Sequence, residues 1–191
     1  MPTSVRSASG DVFRDAYLKF SVTKPSSWRF LPPAWSPTAQ MKNSADSPDD
    51  WIHYAKLPFC CAMDHHSSNE HAYSTLQVTA RPFGLPNNQS AAAILRAQID
   101  FLAGQHLDFE LIDSTSEAIV GGHRANLIRA SYCLMTQLPD SDPVEFSVLS
   151  RSVVVFDLGK AFTLGLSSSA DERYFNESDF GAIVASVRIG T

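Results

Sequence analysis

Eight residues between Cys60 and His71 are the densest set in the chain that could do chemistry: Cys60, Cys61, Met63, Asp64, His65, His66, Glu70 and His71. Soft sulfur beside imidazole suits zinc or copper, and on an extended segment Cys61, Met63 and His65 would share one face. No C-x-x-C or H-x-x-x-H spacing brings two ligands together on a rigid element, and Cys60 and Cys61 would point to opposite sides of a strand. The competing reading is a pair of buried sulfurs leading into a solvated histidine loop. It assigns no metal, and it leaves Cys61, Met63, His65 and His71 as the candidates for the fold to place.

Other constellations are weaker. Gly165-Leu166-Ser167-Ser168-Ser169 lacks the second glycine of a nucleophile elbow, so these serines read as the end of a strand. Cys61 with His65 or His71 would make a thiolate pair, but nothing in the sequence marks an oxyanion hole. Gly121-Gly122-His123-Arg124 has neither Walker spacing nor a following helix and reads as a hairpin turn. Asp140 and Asp142, flanked by Pro139 and Pro143, suit a soluble hairpin tip better than a calcium site. No catalytic residue and no cofactor is assigned. Three cysteines, two of them adjacent, do not make a disulfide framework and read as reduced, buried thiols. Asn88-Gln89-Ser90 and Asn176-Glu177-Ser178 match the glycosylation pattern, but both fall where helices are expected to begin.

The elements that would position these residues follow from periodicity. Alternation of Leu18, Phe20 and Val22 predicts a strand from Tyr17 to Thr23, ended by Pro25. Ser26 to Asp50 is rich in proline and reads as a long irregular connection carrying Trp28 and Trp35. A short helix start is expected before Trp51, a buried strand over Leu57 to Met63 and another over Thr75 to Arg81. The clearest helix is Ser90 to Ala103, with Ser90 as cap and Gly104 as terminator. Leu107 to Leu111 and Ala118 to Val120 lead as strand through Gly121-Gly122 into a strand from His123 to Met135. Two β-runs, Val144 to Phe156 and Ala161 to Ser168, are joined by a tight turn at Asp157 to Lys160. A helix from Phe180 to Val187 follows, capped by Ser178 or Asp179. In the last strand pair, Val144, Phe146, Val148, Val154, Phe156, Phe162, Leu164 and Leu166 are grouped on one face, with Leu149, Val153 and Val155 opposite. The whole predicts a mainly antiparallel sheet in a layered α+β arrangement.

A chain of 191 residues fits one domain, 1–191, with a loose stretch over 1–12 and the connection at 26–50. Twenty acids against fifteen bases give a net charge of −5 without a basic cluster, which disfavours nucleic acid and anionic membrane surfaces. A basic protein partner fits that charge. With no signal-like apolar region and no membrane-length run, a cytoplasmic location is expected.

The early strand followed by Pro25 and Trp28, the mid-chain helix, and the closing pattern carry a resemblance. That pattern runs from Lys160-Ala161-Phe162-Thr163-Leu164 through Phe175, Phe180, Ile183 and Val184 to Ser186-Val187-Arg188-Ile189. Together these features resemble the PsbP-like superfamily, which includes a photosystem oxygen-evolving subunit, a yeast Ran-binding import factor and bacterial DcrB-like proteins, some of them chaperones for secreted effectors. The resemblance implies an α/β/α sandwich with an antiparallel sheet of six or seven strands, and a non-catalytic, protein-binding or adaptor role. It carries over no functional residue. The connection at 26–50 and the histidine-rich loop depart from the compact family pattern.

The leading expectation is therefore a non-enzymatic binding, adaptor or chaperone-like protein, with Trp35 and Trp51 as the partner-binding residues. Aromatic side chains beside a proline-rich loop are frequent recognition anchors. The alternatives are a hydrolase or other enzyme whose site assembles only in the fold, and zinc or copper binding through the 60–71 segment.

Overall fold

Two strands, Val144–Asp157 and Lys160–Ser169, meet across a two-residue connection in which Gly159 holds φ +69, and around them the rest of the sheet is built. A computed structural model describes residues 6–16, 18–31, 59–66, 74–82, 90–136, 144–157, 159–170 and 177–190. In chain order the elements are β1 (Arg6–Ser9), β2 (Val12–Asp15), β3 (Phe20–Thr23), β4 (Trp28–Phe30), β5 (Phe59–His65), β6 (Ser74–Pro82), α1 (Ala91–Gln105), β7 (Leu107–Val120), β8 (His123–Thr136), β9 (Val144–Asp157), β10 (Lys160–Ser169), α2 (Glu177–Ser186) and β11 (Arg188–Ile189). Seven strands pair antiparallel in the order β4-β5-β6-β10-β9-β8-β7, and four more form a small sheet in the order β1-β2-β3-β11. This is the α+β architecture with a mainly antiparallel central sheet that the sequence predicts.

Register corrects the face assignment within the central hairpin. Because its connection holds two residues, an even-numbered position on β10 stands opposite an odd-numbered one on β9. Phe162 pairs with Val155 and Leu164 with Val153, whereas Val154 faces Thr163. Phe162, Leu164, Val153 and Val155, all fully buried, therefore share one face, and Val154 belongs to the other. The first face is the main core. It packs against Phe13, Phe20, Val22 and Ile189 of the small sheet and against Phe180, Ile183 and Val187 at the C-terminal end. Phe20 stacks on Phe162 with ring centroids 5.5 Å apart.

The two helices take opposite faces of the seven-stranded sheet. Ser90 caps α1, its Oγ accepting a hydrogen bond from the Ala93 amide at 3.2 Å, as the sequence predicts. The helix buries Ile94 and Leu95 on the face that carries Ile128 and Val154. It runs through Gly104 to Gln105 and leaves in extended conformation at His106, so Gly104 is not the terminator. On the main-core face, α2 starts at Glu177, earlier than expected, and takes Ser178 and Asp179 into its first turn instead of using either as a cap. Acidic Glu177 and Asp179 there complement the helix dipole.

Three further expectations change. The stretch expected to be loose contains the β1–β2 hairpin, turned at Gly10 with φ +57. The strand expected from Tyr17 begins at Phe20, because Leu18 and Lys19 form a turn in which the Leu18 amide donates to Asp15 Oδ1 at 3.0 Å. The expected irregular connection opens with β4, whose Trp28 is 1% exposed and belongs to the core.

Candidate binding site

The Cys61 and Met63 sulfurs point into the core. Cys61 pairs with Val78 and Met63 with Leu76 across β5 and β6, and all four side chains are buried. His65 sits opposite Trp28 and presents its ring edge-on to the indole at 5.7 Å. Asp64 holds Arg29 through a two-pronged contact, Nε to Oδ1 at 2.7 Å and Nη2 to Oδ2 at 2.9 Å, and that bond raises the Arg29 pKa. His71, Trp35 and Trp51 lie outside the described residues. Gly121 and Gly122, with φ +59 and +85, make the β7–β8 hairpin turn, and Ser167, Ser168 and Ser169 end β10.

One group that sequence spacing does not reveal could hold a metal ion. Asp108 of β7, Cys133 of β8 and Glu145 of β9 bring one donor atom each within 4.8 Å of one another. A mixed sulfur and oxygen set is compatible with zinc. The Cys133 thiol is pushed above its ordinary pKa first by its hydrogen bond with Glu145 and then by burial, so a metal would have to displace that proton. Only the cross-strand register assembles the three residues, and nothing in their linear separation signals it.

The same register builds a row of charges on the α2 face. Arg129 and Arg151 stand opposite one another on β8 and β9. Arg129 donates from Nη1 to Asp113 Oδ2 at 2.9 Å, and Arg151 donates from Nη1 to Glu177 Oε1 on α2. The Arg151 side chain is only 10% exposed, while Asp113 and Glu177 are 49% and 62% exposed. The acids thus form the rim, and buried Arg151 the floor. Burial, helped by the neighbouring Arg129, lowers the Arg151 pKa, and Glu177 opposes both. Among the described residues, Arg129 Nε is buried without a hydrogen-bond partner. From this row a groove of about 770 Å³ extends between α2 and the sheet, walled by Ile119, Val120, Leu127, Phe180 and Val184.

Beside the groove lies β7, the last strand of its sheet among the described residues. It is 14 residues long and exposes Leu107, Leu111, Ile112 and Ile119 by 40–65%. Its charged residues are Asp108, Glu110, Asp113 and Glu117, all acidic. Pairing with β8 slips at three places, and such bulges bend an edge away from flat self-pairing.

Solved structures of similar fold include the following two. LpqN of Mycobacterium tuberculosis, involved in cell envelope biogenesis, aligns with a TM-score of 0.52 and 18% identity over 89% of this chain and 82% of its own. Cyanobacterial PsbP (CyanoP) from Synechocystis aligns with a TM-score of 0.56 and 15% identity over 93% of this chain and 91% of its own. No family model and no curated protein matches the sequence. The chain has a PsbP-like fold, as the closing sequence pattern predicts.

Proposed function

We propose that this protein is a non-catalytic binding or adaptor protein that docks a basic, extended segment of a protein partner along β7. The observation that carries the reading is the edge itself: a long strand that is last in its sheet among the described residues, with four exposed large apolar side chains and only acidic charge. An added strand draws affinity from main-chain hydrogen bonds and specificity from alternate side chains. Four acids repel a second copy of β7 and favour lysine or arginine opposite them. The PsbP-like fold is compatible with this role, although a fold by itself names no chemistry.

Fluorescence anisotropy with a labelled peptide of alternating lysine and valine, about ten residues long, tests the proposal. The peptide should bind, release progressively as salt is raised, and lose at least about tenfold in affinity to a Glu110→Lys/Glu117→Lys protein. Equal binding of a peptide with glutamate in place of lysine, or indifference to the charge reversal, would exclude this edge as the docking strand. Trp35→Ala and Trp51→Ala proteins, assayed with the same peptide, report separately whether the tryptophans contribute to capture.

A further inference from the structure

We infer that Asp108, Cys133 and Glu145 form a zinc site with three protein ligands and one open position, built where β7, β8 and β9 lie side by side. One donor atom from each residue lies within 4.8 Å of the other two. Tetrahedral zinc, with sulfur at about 2.3 Å and carboxylate oxygen at about 2.1 Å, sets its ligands about 3.5 Å apart. The donors therefore close by at most about 1.3 Å, a shift that the exposed Asp108 and Glu145 side chains make by rotation.

Asp108 reaches this group only because β7 carries a bulge. Leu107 pairs with Cys133 and Glu110 with Ser131, so Asp108 and Phe109 together stand against Tyr132 alone. In regular alternation Asp108 would lie on the Tyr132 face, away from Cys133. The extra residue and a φ of +50 at Asp108 bring its carboxylate round to the thiol. On the other side of β8, Ser147 pairs with Cys133, and its hydroxyl lies 4.0 Å from the sulfur, where it supports a thiolate.

The donor set selects the metal. Calcium and magnesium take oxygen and not thiolate, and copper(I) takes sulfur and not carboxylate, whereas zinc accepts both. A cation also answers the electrostatics. Two carboxylates and a thiol crowd together, and among the described residues neither Asp108 nor Glu145 has an ion-pair partner. As the Zn–S bond forms, Cys133 gives up its proton to water. Because both carboxylates are exposed, the fourth position faces solvent and takes a water molecule.

Zinc titration of the reduced, metal-stripped full chain against a chromophoric chelator tests the assignment. One equivalent should bind, undisturbed by a large excess of magnesium or calcium. Cys133→Ser, Asp108→Asn and Glu145→Gln should each weaken it by at least about tenfold, the loss that changes beyond the ligands already cause. Cobalt(II) in place of zinc should show a sulfur-to-metal charge-transfer band in the near ultraviolet, which Cys133→Ser removes. His71→Ala should leave the affinity unchanged. No uptake of zinc, unaltered affinity in the Cys133→Ser or Glu145→Gln protein, or a cobalt spectrum without the sulfur band would each overturn the inference. Loss of the metal in His71→Ala would overturn it too, by moving the site to the Cys60 to His71 segment. The Glu145→Gln arm remains decisive if Cys133→Ser does not fold.

Discussion

Strands β10 and β7 belong to one sheet, three places apart, and differ in almost every respect. In β10, Phe162, Leu164 and Leu166 are buried in alternation against α2 and the small sheet, and both neighbours are paired along nearly the whole strand. In β7, which is longer, Val120 is the one fully buried residue and pairing with β8 is interrupted three times. Both sequences contain large apolar residues, so the difference arises from place in the sheet and not from hydrophobicity. It separates a centre that holds the fold from a strand that, among the described residues, pairs on one side only.

The largest effect expected from that contrast is on stability. Leu164→Ala removes a fully buried side chain and should cost about 2–5 kcal/mol, whereas Ile112→Ser, at a site 48% exposed, should stay within about 0.5 kcal/mol. Urea denaturation of the two proteins checks both. Similar losses would mean that β7 is covered and that its side chains are part of a core.

A polar tie fixes α2 to the opposite end of the sheet. Asp179 Oδ2 accepts from Trp28 Nε1 at 2.9 Å and from Ser27 Oγ at 2.7 Å, fastening the first turn of α2 to the edge strand β4. Trp28 is buried, so Asp179→Ala should cost about 1–3 kcal/mol by stranding the indole N–H. With Trp28→Phe as background the same substitution should cost less, which a double-mutant cycle measures. Additive losses would show that the carboxylate acts through something other than the indole.

The centre was legible in sequence and the edge was not, for physical reasons. Leu164 and Leu166 declare a strand because burial on one face imposes period two, and Ser90 declares a helix start because its hydroxyl takes a free amide. Val153 and Phe162 share a face that alternation within either strand does not reveal, because the parity between the strands is set by the length of their connection. Leu111 and Ile112 look like core residues in sequence, since no local pattern records that β7 is last in its sheet. Arg129 with Arg151, and Asp108 with Cys133 and Glu145, are neighbours only through register. Trp28 begins a strand of three residues, too short for alternation to declare it against the prolines that follow.

His106, where α1 passes into β7, links the two regions and gives the comparison a pH dependence. Its ring stacks on Tyr132 at 3.9 Å, and burial lowers its pKa below the ordinary 6.5. The folded state then binds this proton less readily than the unfolded chain. Its contribution is complete above pH 6.5 and declines as pH falls through that value. His106→Phe should therefore flatten the stability profile between about pH 7.5 and about pH 5. An unchanged slope would assign the acid sensitivity to other groups.

The smallest effect belongs to the far end of β7, and it is one of reactivity. The Cys133 pKa is raised first by the hydrogen bond with Glu145 and then by burial, with the charges of Glu145 and Asp108 adding smaller contributions. Thiolate is the reactive form, so alkylation of Cys133 at pH 8 should be slower than that of an unperturbed thiol. Glu145→Gln removes the larger part of that restraint, lowers the thiol pKa and should speed labelling several-fold. Stability should change little, because the Glu145 side chain is exposed. Peptide mass spectrometry distinguishes Cys133 from the buried Cys61. An unaltered rate would mean that access to the edge, and not charge, governs the thiol, and that β7 is less open than its exposed side chains indicate.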